Sequence, residues 1–121
     1  MKALVVDDSL TIRRIVIKAL GMAGIKDTAE AADGEEAMKA VQADSFDLIL
    51  LDWNMPKMTG IETLRALRSA GNKTPVIMVT TEAEKSRVIE AIKSGANDYL
   101  IKPFSPDQLA SKVKNIVGAP A

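Results

Sequence analysis

Leu48-Ile49-Leu50-Leu51-Asp52 decides the fold: four apolar residues, too few for a helix, run without a break into a carboxylate. An apolar run of that length suits a strand buried on both faces. Three other stretches share its form. Ala3-Leu-Val-Val6 leads into Asp7-Asp8, Val76-Ile-Met-Val79 into Thr80-Thr81, and Tyr99-Leu-Ile101 into Lys102-Pro103. As strands of one parallel sheet, these would bring all four polar termini to its carboxyl edge, where open α/β sheets bind ligands. Three carboxylates, a hydroxyl and a lysine on one edge suit a hard cation and a phosphoryl group.

Between the apolar runs the period becomes helical. Ile12, Ile15, Val16, Ala19, Leu20 and Ala23 recur at i, i+3, i+4 and i+7, with Ser9 as N-cap and Gly24 as stop. A second helix is expected over Gly34 to Gln42, with Ala37 and Val41 inward and a Glu35–Lys39 pair outside. The third, from Gly60 to Ser69, buries Ile61, Leu64 and Leu67, and Gly60 itself reads as a backbone requirement. The fourth, Ala83 to Ser94, turns Val88, Ile89 and Ile92 inward and ends at Gly95. The fifth starts at Pro106, a favoured first-turn residue, and carries Leu109, Val113 and Ile116. Thr28 to Ala31 is a short, partly polar strand of the kind found at a sheet edge. The chain therefore reads as (βα)5, an α/β domain built on a doubly wound parallel sheet and covering residues 1–121. Gly118 to Ala121 cannot continue a helix well and are expected to form a frayed tail or the start of a linker.

Composition removes several functions. Sixteen basic residues balance sixteen acidic ones, so net charge gives no argument for nucleic-acid binding. Cysteine is absent, which excludes disulfides and thiolate zinc sites. Histidine is absent too, so the chain can neither carry a phosphohistidine nor use imidazole as a base. No apolar stretch approaches the ~18 residues of a membrane span. The first strand begins almost at Met1, which leaves no room for a signal peptide and makes a cytoplasmic location the expectation.

Each polar terminus alone is ordinary, since aspartate after a strand is a common turn former or helix cap. Together they share one explanation. Clustered carboxylates repel one another unless a cation compensates them. Mg2+ prefers oxygen ligands, one or two of them carboxylates beside phosphate. With such a cation present, Asp52 could act as a nucleophile towards phosphorus, and a lysine and a threonine could receive the developing charge.

Val5-Val-Asp-Asp8, Asp52-Trp-Asn-Met-Pro56 with Gly60, Thr80, and Lys102-Pro-Phe104 together resemble the signature of the response-regulator receiver domain, in order and across the whole chain. The Asp52–Pro56 stretch is similar in particular to single-domain chemotaxis regulators. The resemblance implies a flavodoxin-like sheet of order 2-1-3-4-5, for which chemotaxis regulators are themselves a standard instance. It also implies residue roles. Asp52 receives the phosphoryl group. Asp7, Asp8 and Asp52 hold Mg2+, with Asn54 adding its backbone carbonyl. Thr80 and Lys102 contact the phosphoryl oxygens. Tyr99 is an aromatic switch that moves inward when Thr80 is drawn to the phosphoryl group. Asn54 and Glu82 tune hydrolysis of the aspartyl phosphate. Thr81 departs from the Ala, Gly or Ser that many members carry there.

The implied function is a signalling switch rather than an enzyme. A histidine kinase would supply the phosphoryl group to a monomer. A downstream protein would then be engaged through residues 83–117, with no direct contact to nucleic acid or membrane. Within the family, a phosphorelay intermediate or the receiver of a longer regulator are the alternatives. A phosphatase of the haloacid-dehalogenase type uses similar groups, but it needs a second aspartate two residues after its first-strand nucleophile. Ser9 stands there after Asp7, and there is no room for a substrate-specifying cap. A degenerate scaffold is disfavoured because all five core positions are intact. Trp53, Met55 and Met58 read as packing residues beside the site, and Lys85 and Lys112 as solvated charges.

Overall fold

The computed structural model describes residues 1–118, so the tail beyond Gly118 lies outside the described residues. Strands β1 (Lys2–Val6), β2 (Asp27–Ala31), β3 (Leu48–Leu51), β4 (Val76–Thr80) and β5 (Asp98–Ile101) alternate with helices. The helices are α1 (Leu10–Met22), α2 (Gly34–Ala43), α3 (Gly60–Ser69), α4 (Lys85–Lys93) and α5 (Pro106–Val117). All strand pairs are parallel and the order is β2-β1-β3-β4-β5, the expected flavodoxin-like arrangement. The winding direction reverses between β1 and β3, which opens a crevice at their carboxyl ends. β2 is at the edge, as its polar residues required, and β3 is buried throughout.

Alternation along the strands sorts the core into two layers. Leu4, Val6, Ile49, Leu51, Met78 and Tyr99 face Ala37 of α2, Leu64 and Leu67 of α3 and Ala91 of α4. Val5, Leu50, Ile77, Val79 and Leu100 face Val16 and Leu20 of α1 and Leu109 and Val113 of α5. Local chemistry sets the helix starts. Ser9 and Asp33 cap α1 and α2 by accepting from Ile12 and Glu36 amides. Reciprocal capping boxes, Thr59 with Glu62 and Ser105 with Gln108, open α3 and α5. The α4 helix has no side-chain cap.

Four expectations about the helices need correction. Ile15, Ile89 and Ile92 are exposed at 38%, 43% and 46% rather than inward. The α4 helix spans only nine residues and begins two later than expected, so Ala91 alone is fully buried and Val88 partly. Glu35 approaches Lys57 at 4.0 Å instead of pairing with Lys39. Lys112 is not a free solvated charge, since its ammonium lies 3.0 Å from Asp98.

Gly60 is the backbone requirement that the sequence suggested. A β-carbon there would fall 1.9 Å from the Asp52 carbonyl oxygen, because the start of α3 returns directly over the end of β3. The Gly60 amide donates to the Trp53 carbonyl at 2.9 Å. Gly21, inside α1, has nothing within 4 Å of the corresponding position. Gly60→Ala is therefore predicted to destabilise the domain by about 3 kcal/mol, lowering Tm by roughly 10 °C. Gly21→Ala should instead stabilise it by about 0.5–1 kcal/mol. Thermal unfolding followed by circular dichroism measures both, and a Gly60→Ala protein as stable as the parent would contradict the packing described.

Candidate functional site

Strand register places the site before any side chain is considered. Val6 pairs with Leu51, so Asp7 and Asp52 are the first residues past the same rung. The Asp52 amide donates to the Val6 carbonyl at 3.0 Å and the Asp7 amide to Ala31 at 3.1 Å. Both aspartates continue the pleat of Val5 and Leu50, and Lys102 continues that of Leu100. The Lys102 ammonium accordingly reaches both carboxylates, at 2.6 Å from Asp7 Oδ2 and 3.2 Å from Asp52 Oδ2.

The surroundings of the three acids differ. Asp7 is buried, and its Oδ1 accepts from the Ser9 amide at 2.9 Å. Asp8 is exposed. Asp52 is only 6% exposed, and its Oδ1 is a buried oxygen with no hydrogen-bond donor, the only such side-chain atom among the described residues. Burial pushes the Asp52 carboxyl above its ordinary value and the charge on Asp7 adds to that, while Lys102 and the Thr80 hydroxyl oppose it. One carboxylate oxygen from each of Asp7, Asp8 and Asp52 lies within 4.8 Å of the others. This is an oxygen-only donor set with one ammonium among three acids. It fits a hard divalent cation such as Mg2+ and offers it an unclaimed, buried oxygen.

Thr80 and Tyr99 occupy the opposite pleat. Met78 pairs with Tyr99 and Thr80 lies two residues beyond Met78, so both side chains face the α3–α4 layer. Thr80 is fully buried and its hydroxyl oxygen accepts from the Glu82 amide at 3.3 Å. The Tyr99 hydroxyl donates to the Glu82 carbonyl at 2.6 Å. Its ring is buried, and burial, followed by the charges of Glu82 and Asp52, pushes its pKa up to about 12. The ring is thus turned inward. Glu82, singled out in the sequence for its side chain, connects Thr80 to Tyr99 through its backbone.

The remaining residues separate by exposure. Asn54 and Thr81 are exposed, and Glu82 is intermediate. Trp53 is buried at 5% and Met55 at 8%, with Met58 partly covered, in keeping with packing roles. The Arg87 guanidinium lies 5.4 Å from the centre of the Trp53 ring, a cation–π contact from α4 to the residue after Asp52 that the sequence did not reveal. Lys85 is exposed. Beyond Lys57, whose backbone takes a left-handed φ of 67°, the loop turns into α3; the Lys57 ammonium lies 3.7 Å from Asp33.

Known proteins resemble this chain in sequence and fold. The response regulator receiver domain family matches residues 3–114. Chemotaxis protein CheY of Pseudomonas aeruginosa is 45% identical over 118 residues, covering 96% of this chain and 95% of its own. Chemotaxis protein CheY1 of Helicobacter pylori is 43% identical over 121 residues, with 98% of each chain covered. Among solved structures, chemotaxis protein CheY4 of Vibrio cholerae aligns with a TM-score of 0.87 and 41% identity, over 95% of this chain and 97% of the other. The receiver domain of Francisella response regulator 1452 aligns with a TM-score of 0.89 and 39% identity, over 96% and 95%. With the family matched over nearly the whole chain and the carboxyl-edge cluster in place, this protein belongs to the response regulator receiver domain family.

Proposed function

We propose that this chain, a single receiver domain, is a cytoplasmic phosphoacceptor of the chemotaxis type: Asp52 takes a phosphoryl group from a histidine kinase, and the change is read by a partner protein at the face of α4, β5 and α5. One observation carries this reading. Asp52 is buried with one oxygen held by Lys102 and the other without a donor, beside two further carboxylates. A carboxylate buried for packing would have its oxygens satisfied. A carboxylate kept partly unsatisfied is available to a cation and to phosphorus.

Asp7, Asp8 and Asp52 would hold Mg2+ through carboxylate oxygens, and Asn54 through its backbone carbonyl. Bound Mg2+ neutralises charge, so that an anionic carboxylate and an anionic phosphoryl group can approach. The chain's own groups do the rest. A carboxylate oxygen of Asp52 forms the O–P bond as the donor's P–N bond breaks, and the imidazole departs with that electron pair. Lys102, already 3.2 Å from Asp52, stays beside the new phosphoryl oxygens and offsets their charge. Thr80 donates its hydroxyl proton to a phosphoryl oxygen. Asn54 and Glu82 set the access of water to the acyl phosphate.

The readout runs through the backbone of Glu82. Thr80 holds its amide and Tyr99 holds its carbonyl, so a Thr80 hydroxyl drawn to a phosphoryl oxygen shifts the Glu82 segment to which the inward ring is bonded. Next to it are α4 and β5, whose exposed Ile89, Ile92 and Ile101 form the apolar part of the partner face. A local charge biasing a two-state element is sufficient for such a switch.

Phosphoryl transfer is tested with radiolabelled kinase or acetyl phosphate. Labelling should map to Asp52, require Mg2+, vanish in Asp52→Asn and fall roughly tenfold or more in Asp8→Asn. A label on another residue, or full labelling in chelator, would sink the assignment. The switch is tested by amide NMR with beryllofluoride. In the parent, shifts should extend from the metal loops into Lys85–Lys93 and Asp98–Ile101; in Thr80→Ala they should stay near Asp52. Equal spread in the two proteins would remove Thr80 from the coupling.

A further inference from the structure

Arg13, on the first turns of α1, makes two contacts with no counterpart elsewhere at the carboxyl edge. Its Nη1 donates to the Asp7 backbone carbonyl at 2.6 Å, and its Nε donates to Glu30 Oε1 at 2.9 Å. The side chain is only 15% exposed, so the guanidinium is enclosed rather than solvated.

Sheet register explains why the contact exists. The Asp7 amide donates to Ala31, which extends the β1–β2 ladder one residue past the strands. A parallel ladder would next bring the Asp33 amide to the Asp7 carbonyl. Asp33 is instead the N-cap of α2, and the chain has already turned away. The Ala32 amide turns aside too, towards Glu36 Oε1. The Asp7 carbonyl is therefore left without a strand partner where the sheet ends, and Arg13 fills that place. Through Glu30 it also ties the loop to the edge strand β2, the least buried strand of the sheet. Three fixed points then define the Asp7–Asp8 turn: Lys102 and the Ser9 amide on the Asp7 carboxylate, and Arg13 on its carbonyl.

We propose that Arg13 is a positioning residue for the metal loop, holding the Asp7 carbonyl so that the Asp7 and Asp8 carboxylates converge with Asp52 on one cation. This rests on the Mg2+ reading of the site given above. The sign of its effect separates it from simple electrostatics. Arg13 is a positive charge near an acidic cluster, so its charge alone opposes cation binding, and deleting it would tighten Mg2+. Positioning predicts the reverse, because a loop freed from its clamp must be ordered at the moment of binding. Outer groups that orient metal ligands typically change affinity tenfold or more when removed.

The test is a MgCl2 titration followed by amide NMR shifts of Asp8 and Asn54, with thermal midpoints recorded alongside. Arg13→Ala should bind Mg2+ about tenfold more weakly than the parent. Arg68→Ala is the structural control. Arg68 also donates to backbone carbonyls, those of Gly95 and Asn72, but at the opposite edge of the sheet. Its loss should lower the midpoint and leave Mg2+ affinity unchanged. Arg13→Lys keeps the charge but offers one ammonium for two acceptors, so it should fall between parent and alanine. Unchanged or tighter binding in Arg13→Ala would overturn the clamp. Should that variant not fold, parent-like binding in Arg13→Lys would overturn it equally. A parent protein with no Mg2+ response at these amides would overturn the metal reading itself, a failure distinct from that of Arg13.

Discussion

Three carboxylates gathered around one ammonium are the constraint on which the rest of this structure turns. Asp7 and Asp52 are buried, Asp8 stands beside them, and Lys102 is the ammonium in contact with the buried pair. The desolvation penalty of a buried ion pair can exceed its Coulombic gain. Here the cost is greater, since a second carboxylate shares the lysine and one buried oxygen of Asp52 has no well-formed hydrogen bond. The upward push on the Asp52 carboxyl expresses that strain. Such an edge is stable only because β1 and β3 hold it in register over a core buried on both faces. A bound cation and a phosphoryl group would relieve it from the outside, and this is the sense in which the fold is built for ligands.

The sheet also sorts the site residues by pleat. One pleat carries Asp7, Asp52 and Lys102; the other carries Thr80 and Tyr99 towards α3 and α4. The two sets meet at the sheet edge, where the Thr80 hydroxyl acts on the Asp52 carboxylate. The backbone of Glu82 bridges Thr80 to Tyr99, and Arg87 near Trp53 gives a second contact, between α4 and the residue after Asp52. Tyr99 is inward and hydrogen bonded, which makes the carbonyl of Glu82, rather than empty space behind Thr80, the element that holds the ring.

Much of this was legible in residue order. Leu48–Leu51 and its three counterparts had the length and apolarity of buried strands, and their polar ends fell where a parallel sheet gathers them. Gly60 read as a backbone requirement, now seen as the close approach of α3 to the Asp52 carbonyl. Periodicity failed where an apolar residue is exposed: Ile89 and Ile92 fit the helical pattern of α4, but a nine-residue helix packing on Ala91 leaves them at the surface. A Glu35–Lys39 spacing was correct for a helix, yet Lys57 comes from a loop that local spacing cannot place. Lys112 with Asp98, and Arg13 with Glu30, join residues brought together only by sheet order and helix packing. Arg13 carried no local signal, because its acceptor is a carbonyl that becomes orphaned only once β2 is known to end at Ala31.

The most direct measurement of the central claim is the thermal midpoint of Asp52→Asn against the parent, in chelator, from pH 4 to pH 8. A raised carboxyl pKa means that the folded protein holds the Asp52 proton more tightly than the unfolded chain does. Ionised Asp52 therefore costs stability, and the cost grows as pH rises through that raised value. Asp52→Asn should melt higher than the parent at pH 7, and the advantage should shrink towards pH 4. Added Mg2+ should then raise the midpoint of the parent more than that of the variant. A variant that melts lower than the parent at pH 7 in chelator would contradict the account, since the carboxylate cluster would then be a source of stability and not a site held open for a cation and a phosphoryl group.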